Sequence, residues 1–181
     1  MRRSLIPILI IALAYVALPP LLRELFPPEL PAAKLSTHNS PRQLQEFAFS
    51  DGSGRSLTLG SFHDSFLLVN VWATWCPPCR DEMASLDHLA QLFADRRIEI
   101  VPISIDVSGV SSVRHFYAKL GLRNLSIYVD PSKEVMDALG VIGIPTTLLV
   151  DPQGREVARM VGPARWDAPE TMQRIAEIAG L

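Results

Sequence analysis

The chain holds two cysteines, Cys76 and Cys79, within Trp75-Cys76-Pro77-Pro78-Cys79-Arg80. Sulfurs at that spacing fall within one helical turn, close enough to bridge. One thiolate can attack a disulfide in another molecule, and the second then displaces the reduced product from the mixed disulfide. Residues Arg80 to Phe93 follow, with Met83, Leu86, Leu89, Ala90 and Phe93 at spacings of three and four, which predicts an amphipathic helix. A helix start sets unpaired N–H groups and the positive end of the backbone dipole beside the first sulfur, favouring a Cys76 thiolate. Pro77 and Pro78 suit the first turn, where a missing N–H goes unused. They leave the amides of Cys79 and Arg80 as the nearest donors to Cys76. Cys79, one turn on and more buried, is assigned the resolving role.

The same pair can be read as half a metal site. Structural zinc takes four ligands, and the histidines His38, His63, His88 and His115 form no cluster with the cysteines in sequence. Redox chemistry is the stronger reading, with no cofactor and no metal ligand set expected. A copper-binding module using both cysteines and a histidine, and a redox-inactive interaction domain, remain as competitors. A peroxidase is weaker, because Ala73 stands where a Thr-x-x-Cys approach would need threonine.

These sulfurs need elements to hold them. Phe66 to Trp72 is almost continuously apolar, as a strand covered on both faces requires. Ile98 to Ile105 repeats that pattern. Phe47 and Phe49, a turn at Asp51-Gly52-Ser53-Gly54, and Leu57 and Leu59 predict a hairpin. Helices are expected over Ser111–Leu120 and Ser132–Leu139, a short strand at Ile127–Val129, and a strand at Thr146–Val150. Asp151-Pro152-Gln153-Gly154 turns that last strand into a partner at Glu156–Val161, and a helix at Ala168–Ala179 closes the chain. The fold class is α/β: a central mixed sheet flanked by helices, with antiparallel pieces at its margins.

Ahead of this domain, Arg2 and Arg3 precede an uncharged apolar run through Leu22. Positive charge before such a run keeps the N-terminus cytoplasmic and carries the rest across. Residues 1–22 are therefore read as a signal-anchor, with a cleaved signal the alternative. Residues 23–41, with Pro27, Pro28, Pro31 and Pro41, read as a stiff linker, and residues 42–181 as the domain. The expected location is a bacterial inner membrane, crossed once, with the domain in the oxidising periplasm. Residues 24–181 carry 14 basic and 19 acidic side chains, which excludes a basic track for nucleic acid.

Trp72-Ala73-Thr74-Trp75-Cys76-Pro77-Pro78-Cys79-Arg80 resembles the active-site signature of the thioredoxin superfamily. Glu82, Gly143-Ile144-Pro145-Thr146-Thr147 and a long segment between them resemble its membrane-anchored TlpA/ResA branch. Gly162-Pro163-Ala164-Arg165-Trp166 is similar to the TlpA-like members. The resemblance covers residues 42–181 and implies a thioredoxin-like fold in which Pro145 is cis and faces the cysteines. By spacing alone the Ile144–Pro145 bond would be trans. It further implies that Ile144 pairs with an extended substrate, that Trp75 flanks the nucleophile, and that Glu82 influences the proton chemistry of the dithiol. Asn70 stands where thioredoxin has a buried aspartate, so the proton for Cys79 must come from Glu82 or water. Thr146 replaces the glutamate that cytochrome c maturation reductases often carry. The implied function is a monomeric reductant of disulfides in partner proteins, such as copper-site cysteines in cytochrome oxidase assembly, recharged by a membrane thiol-electron donor. Cytochrome c maturation is the alternative within the family.

Overall fold

Seven residues, Phe66–Trp72 (β4), form the middle of an eight-stranded sheet in the computed structural model, which describes residues 30–62, 64–94 and 96–181. Leu68, Val69, Val71 and Trp72 are fully buried, as a strand covered on both faces must be. The other strands are Ser36–Gln43 (β1), Phe49–Asp51 (β2), Ser56–Leu57 (β3), Ile98–Ser104 (β5), Tyr128–Val129 (β6), Thr146–Val150 (β7) and Arg155–Val161 (β8). Their order is β1-β8-β7-β4-β5-β6-β2-β3. Only β4–β5 and β5–β6 are parallel; β4 meets β7 antiparallel, with Asn70 opposite Thr147 and Val71 opposite Thr146. Antiparallel pairing therefore reaches the centre of the sheet and is not confined to its margins. Pro102, which has no N–H to donate, sits where β5 pairs with β4 but not with β6.

Among the described residues four α-helices complete the α/β domain: Pro77–Leu92 (α1), Val110–Leu120 (α2), Glu134–Ala138 (α3) and Pro169–Ala179 (α4). Met83, Leu86 and Leu89 bury the apolar stripe of α1 completely. Gly121, at φ 69°, ends α2 in the left-handed conformation that glycine adopts without a Cβ clash. Trp72 stacks on Tyr117 and tilts against Phe116, fixing α2 to the central strand. The predicted hairpin is present as β2–β3, and Phe49 and Phe62 meet the edge of the Tyr128 ring to hold it on β6.

The N-terminal boundary differs from the sequence expectation. The anchor assigned to residues 1–22 and the first part of the linker lie outside the described residues. Residues 31–41 of that linker are folded onto the domain. Arg165 N–H donates to Pro31 O (2.7 Å), Ala33 N–H donates to Thr171 Oγ1 (2.8 Å), and Ala33 and Leu35 are buried. β1 then lies antiparallel on β8, outermost in the sheet. Proline excludes helix, which the composition registered, but it permits the extended backbone that an open sheet edge can pair. Between Thr37 and Arg42 the register shifts, so Pro41 sits in a bulge where no ladder N–H is required. Among the described residues no helix is long and apolar enough to cross a membrane.

Candidate active site

The end of β4 delivers the chain to the N-terminus of α1, and both cysteines stand at that junction. Cys76 is the N-cap residue in extended conformation, its sulfur accepting from Cys79 N–H at 3.3 Å, with Pro77 opening the helix. Cys76 and Cys79 are joined as a disulfide, with Cα atoms 5.3 Å apart. Cys76 is 4% exposed and Cys79 is fully buried, so an approaching molecule reaches the first sulfur and not the second. Trp75, immediately before, is 60% exposed. Asp106 at the end of β5 holds this turn, accepting from Thr74 N–H (2.8 Å) and from Thr74 Oγ1 (2.6 Å). On the other side Arg80 lies over the Phe116 ring at 5.9 Å.

Facing the disulfide is the loop between α3 and β7. The Ile144–Pro145 bond is cis, as the resemblance implied and spacing did not. The Ile144 carbonyl oxygen lies 3.8 Å from Cys76 Sγ. Thr146 follows Pro145 at the start of β7. It is buried, with its hydroxyl donating to Gly143 O at 2.6 Å.

Glu82 is one turn beyond Cys79 on α1 and has no solvent exposure. Its Oε1 accepts from Asn70 Nδ2 (2.8 Å), and its Oε2 accepts from Ala164 N–H (3.0 Å) and Trp166 Nε1–H (2.8 Å). No cation touches it through any of these bonds. Burial pushes the carboxyl up to about 7, and the three donors offset only part of that rise. Glu82 is therefore not a solvated carboxylate of the kind the first turns of a helix ordinarily carry. Asn70 Nδ2 also donates to Thr147 Oγ1 (2.9 Å), while Asn70 Oδ1 is buried with no hydrogen-bond partner among the described residues.

Sequence reasoning named Cys76, Cys79, Trp75, Pro145 and Glu82; the structure sets Trp75 next to Cys76 in the chain and the Ile144–Pro145 loop against Cys76, while Glu82, three residues beyond Cys79 on α1, turns its carboxyl to Asn70, Ala164 and Trp166. It missed Trp166, Ala164 and Asp106 as the groups that hold Glu82 and Thr74. The Gly162–Trp166 segment was visible as a family feature, but its indole donor gave no local signal. Among the described residues no group of three or more His, Cys, Asp or Glu side chains is placed to hold a metal ion.

The geometry has known counterparts. The AhpC/TSA family model matches residues 41–158. The thiol-disulfide oxidoreductase ResA of Bacillus subtilis (strain 168) is 29% identical over 116 residues, which are 64% of this chain and 64% of that protein. The chain thus spans less than two thirds of that relative's length. A thiol:disulfide interchange protein of the thioredoxin family from Chlorobium tepidum TLS superposes with a TM-score of 0.60 at 26% identity, covering 78% of this chain and 98% of its own. A DsbF homologue from Corynebacterium diphtheriae gives 0.63 at 22% identity, covering 79% and 92%, and speaks for the fold alone. The chain belongs to the AhpC/TSA family and has a thioredoxin-like fold.

Proposed function

We propose that this AhpC/TSA-family chain works as a tethered thiol–disulfide oxidoreductase that reduces disulfides in other proteins. One observation carries the reading: a Cys76–Cys79 disulfide at a helix start, its outer sulfur facing the Ile144 carbonyl of a cis-proline loop. In the reduced protein the Cys76 thiolate attacks one sulfur of the target disulfide and releases the other as a thiolate. The Cys79 thiolate then attacks Cys76 Sγ, expelling the second target sulfur and leaving the Cys76–Cys79 bridge. Two electrons pass to the target, and each departing thiolate takes up a proton. Glu82, buried one turn beyond Cys79 on α1 and titrating near neutrality, accepts the Cys79 proton as that thiol becomes a nucleophile. Trp75 offers an exposed apolar surface at the rim, and Pro145 turns the Ile144 backbone toward an extended target.

Residues 1–22 anchor the domain in the inner membrane with its active site in the periplasm, where a membrane thiol-electron donor recharges the bridge. The domain acts as a monomer. Partner cysteines destined for a copper site, as in cytochrome oxidase assembly, are the favoured targets. Thr146 supports that choice over cytochrome c maturation, because the residue after Pro145 is neutral and spent on Gly143. The direction of electron flow is tested by equilibrating the protein against glutathione buffers. A reductant has a potential near the thioredoxin value of about −270 mV, whereas a value near about −120 mV marks an oxidant and overturns the proposal.

A further inference from the structure

The stretch from Leu139 to Pro145 has to hold one carbonyl against a sulfur, and its other groups are taken up in doing so. Val141 N–H donates to Met136 O (2.7 Å) and closes α3. Thr146 Oγ1 donates to Gly143 O (2.6 Å), and Gly162 N–H donates to Pro145 O (2.9 Å). At the helix end the work is done by Arg159, a β8 residue nineteen positions or more away in sequence. Its Nη2 donates to Leu139 O (2.6 Å) and its Nη1 to Gly140 O (3.1 Å).

The guanidinium is itself fixed. Nε donates to Glu156 Oε1 (2.7 Å) and Nη2 to Glu156 Oε2 (2.9 Å). Glu156 is 2% exposed, and its Oε1 lies 2.8 Å from His38 Nε2 on β1. Burial raises the Glu156 carboxyl, but hydrogen bonds from Arg159 and His38 outweigh it and hold the group below its ordinary value. The carboxylate therefore stays charged and keeps the planar guanidinium in one orientation, a role lysine cannot fill with a point charge. Strand β8 and the end of α3 meet at this one side chain, β1 reaches it through His38 and Glu156, and the backbone it steadies leads within a few residues to Ile144.

We propose that Arg159 is a positioning residue for polypeptide substrates: it fixes the α3–β7 loop so that the Ile144 backbone is presented beside Cys76. This rests on the thiol–disulfide exchange reading. A small disulfide needs only access to Cys76 Sγ, whereas a polypeptide disulfide also needs Ile144 in place to pair with its backbone. Loosening the loop therefore discriminates between the two substrate classes.

The test follows the single-turnover oxidation of full-length wild type, Arg159→Met and Arg159→Lys, reduced beforehand, by insulin and by hydroxyethyl disulfide, with the half-saturating substrate concentration read as KM and the limiting rate as kcat. Arg159→Met is expected to raise KM for insulin about ten-fold, the scale of one lost charge-assisted anchor, with kcat little changed. Its rate on hydroxyethyl disulfide stays within about two-fold of wild type, since that substrate uses no such anchor. Arg159→Lys recovers only part of the insulin KM. Equal losses on both substrates, an unchanged insulin KM, or full rescue by lysine each overturn the proposal. Wild type failing on both substrates defeats the exchange reading instead. Where Arg159→Met does not fold, Glu156→Gln, which keeps Arg159 but releases its orientation, must show the same substrate-selective rise in KM.

Discussion

Replacing Glu82 by glutamine isolates the energy stored in one buried carboxyl. In the folded protein the group titrates near 7, against 4.5 for a free side chain. Between those pH values the folded state holds a proton that the unfolded state has already released. Stability therefore falls as pH rises through this window, is highest below about pH 4.5, and levels off above about pH 7. The interval corresponds to about 3 kcal/mol, at 1.4 kcal/mol for each pH decade. That is a large share of the 5–15 kcal/mol, roughly, by which a domain is stable. Glutamine does not titrate, and the site can receive it. Its oxygen can face Ala164 N–H and Trp166 Nε1–H, while its amide needs an acceptor where Asn70 Nδ2 now stands. Turning the Asn70 amide supplies one, since Asn70 Oδ1 is unpartnered and the Thr147 hydroxyl can donate to it in return. The assay is urea unfolding of the oxidised wild type and Glu82→Gln at several pH values from about 4 to about 8.5. Taking the difference cancels every other titrating group. Wild type is expected to lose about 3 kcal/mol relative to the variant across that range. A difference that stays flat with pH refutes the account of Glu82.

Three further substitutions address the same site. Trp166→Phe removes the indole donor to Glu82 Oε2, so the midpoint of that differential unfolding curve should move to higher pH. Stability above neutrality should drop by about 1–3 kcal/mol, the cost of a lost bond to a buried charge. Cys79→Ser should accumulate a mixed disulfide between Cys76 and the target, detectable as a thiol-sensitive adduct, whereas Cys76→Ser should form none. An adduct on Cys79 would reverse the roles given to the two sulfurs.

The parts of this site that are local in sequence were legible there. Two cysteines, two prolines and an apolar stripe at helical spacing already state a strand, a turn and a helix start. The strands on either side of β4 followed from apolar runs bounded by turn residues. What stayed hidden depends on contacts between distant residues. Nothing near Glu82 announces burial, because its cover comes from Ala164 and Trp166, more than eighty positions later. Arg159 and Glu156 look like ordinary alternating charges on an edge strand until His38 and the end of α3 are brought against them. The same cause misplaced the domain boundary: an edge strand such as β1, exposed along most of its length, has no hydrophobic alternation to betray it, and Pro41 within it continues the spacing of Pro27, Pro28 and Pro31, imitating a linker.

That strand also sets a leash. With the chain docked from Pro31 onward, only residues 23–30 separate the proposed membrane segment from the folded domain. Eight residues reach about 28 Å when fully extended, where the whole stretch from 23 to 41 would have reached about 65 Å. Under the anchor proposed for residues 1–22, a domain held that close would sweep a thin layer over the bilayer. It would then select targets by altitude as well as by chemistry, meeting cysteines displayed near the lipid headgroups and passing over those borne high on tall or freely diffusing proteins.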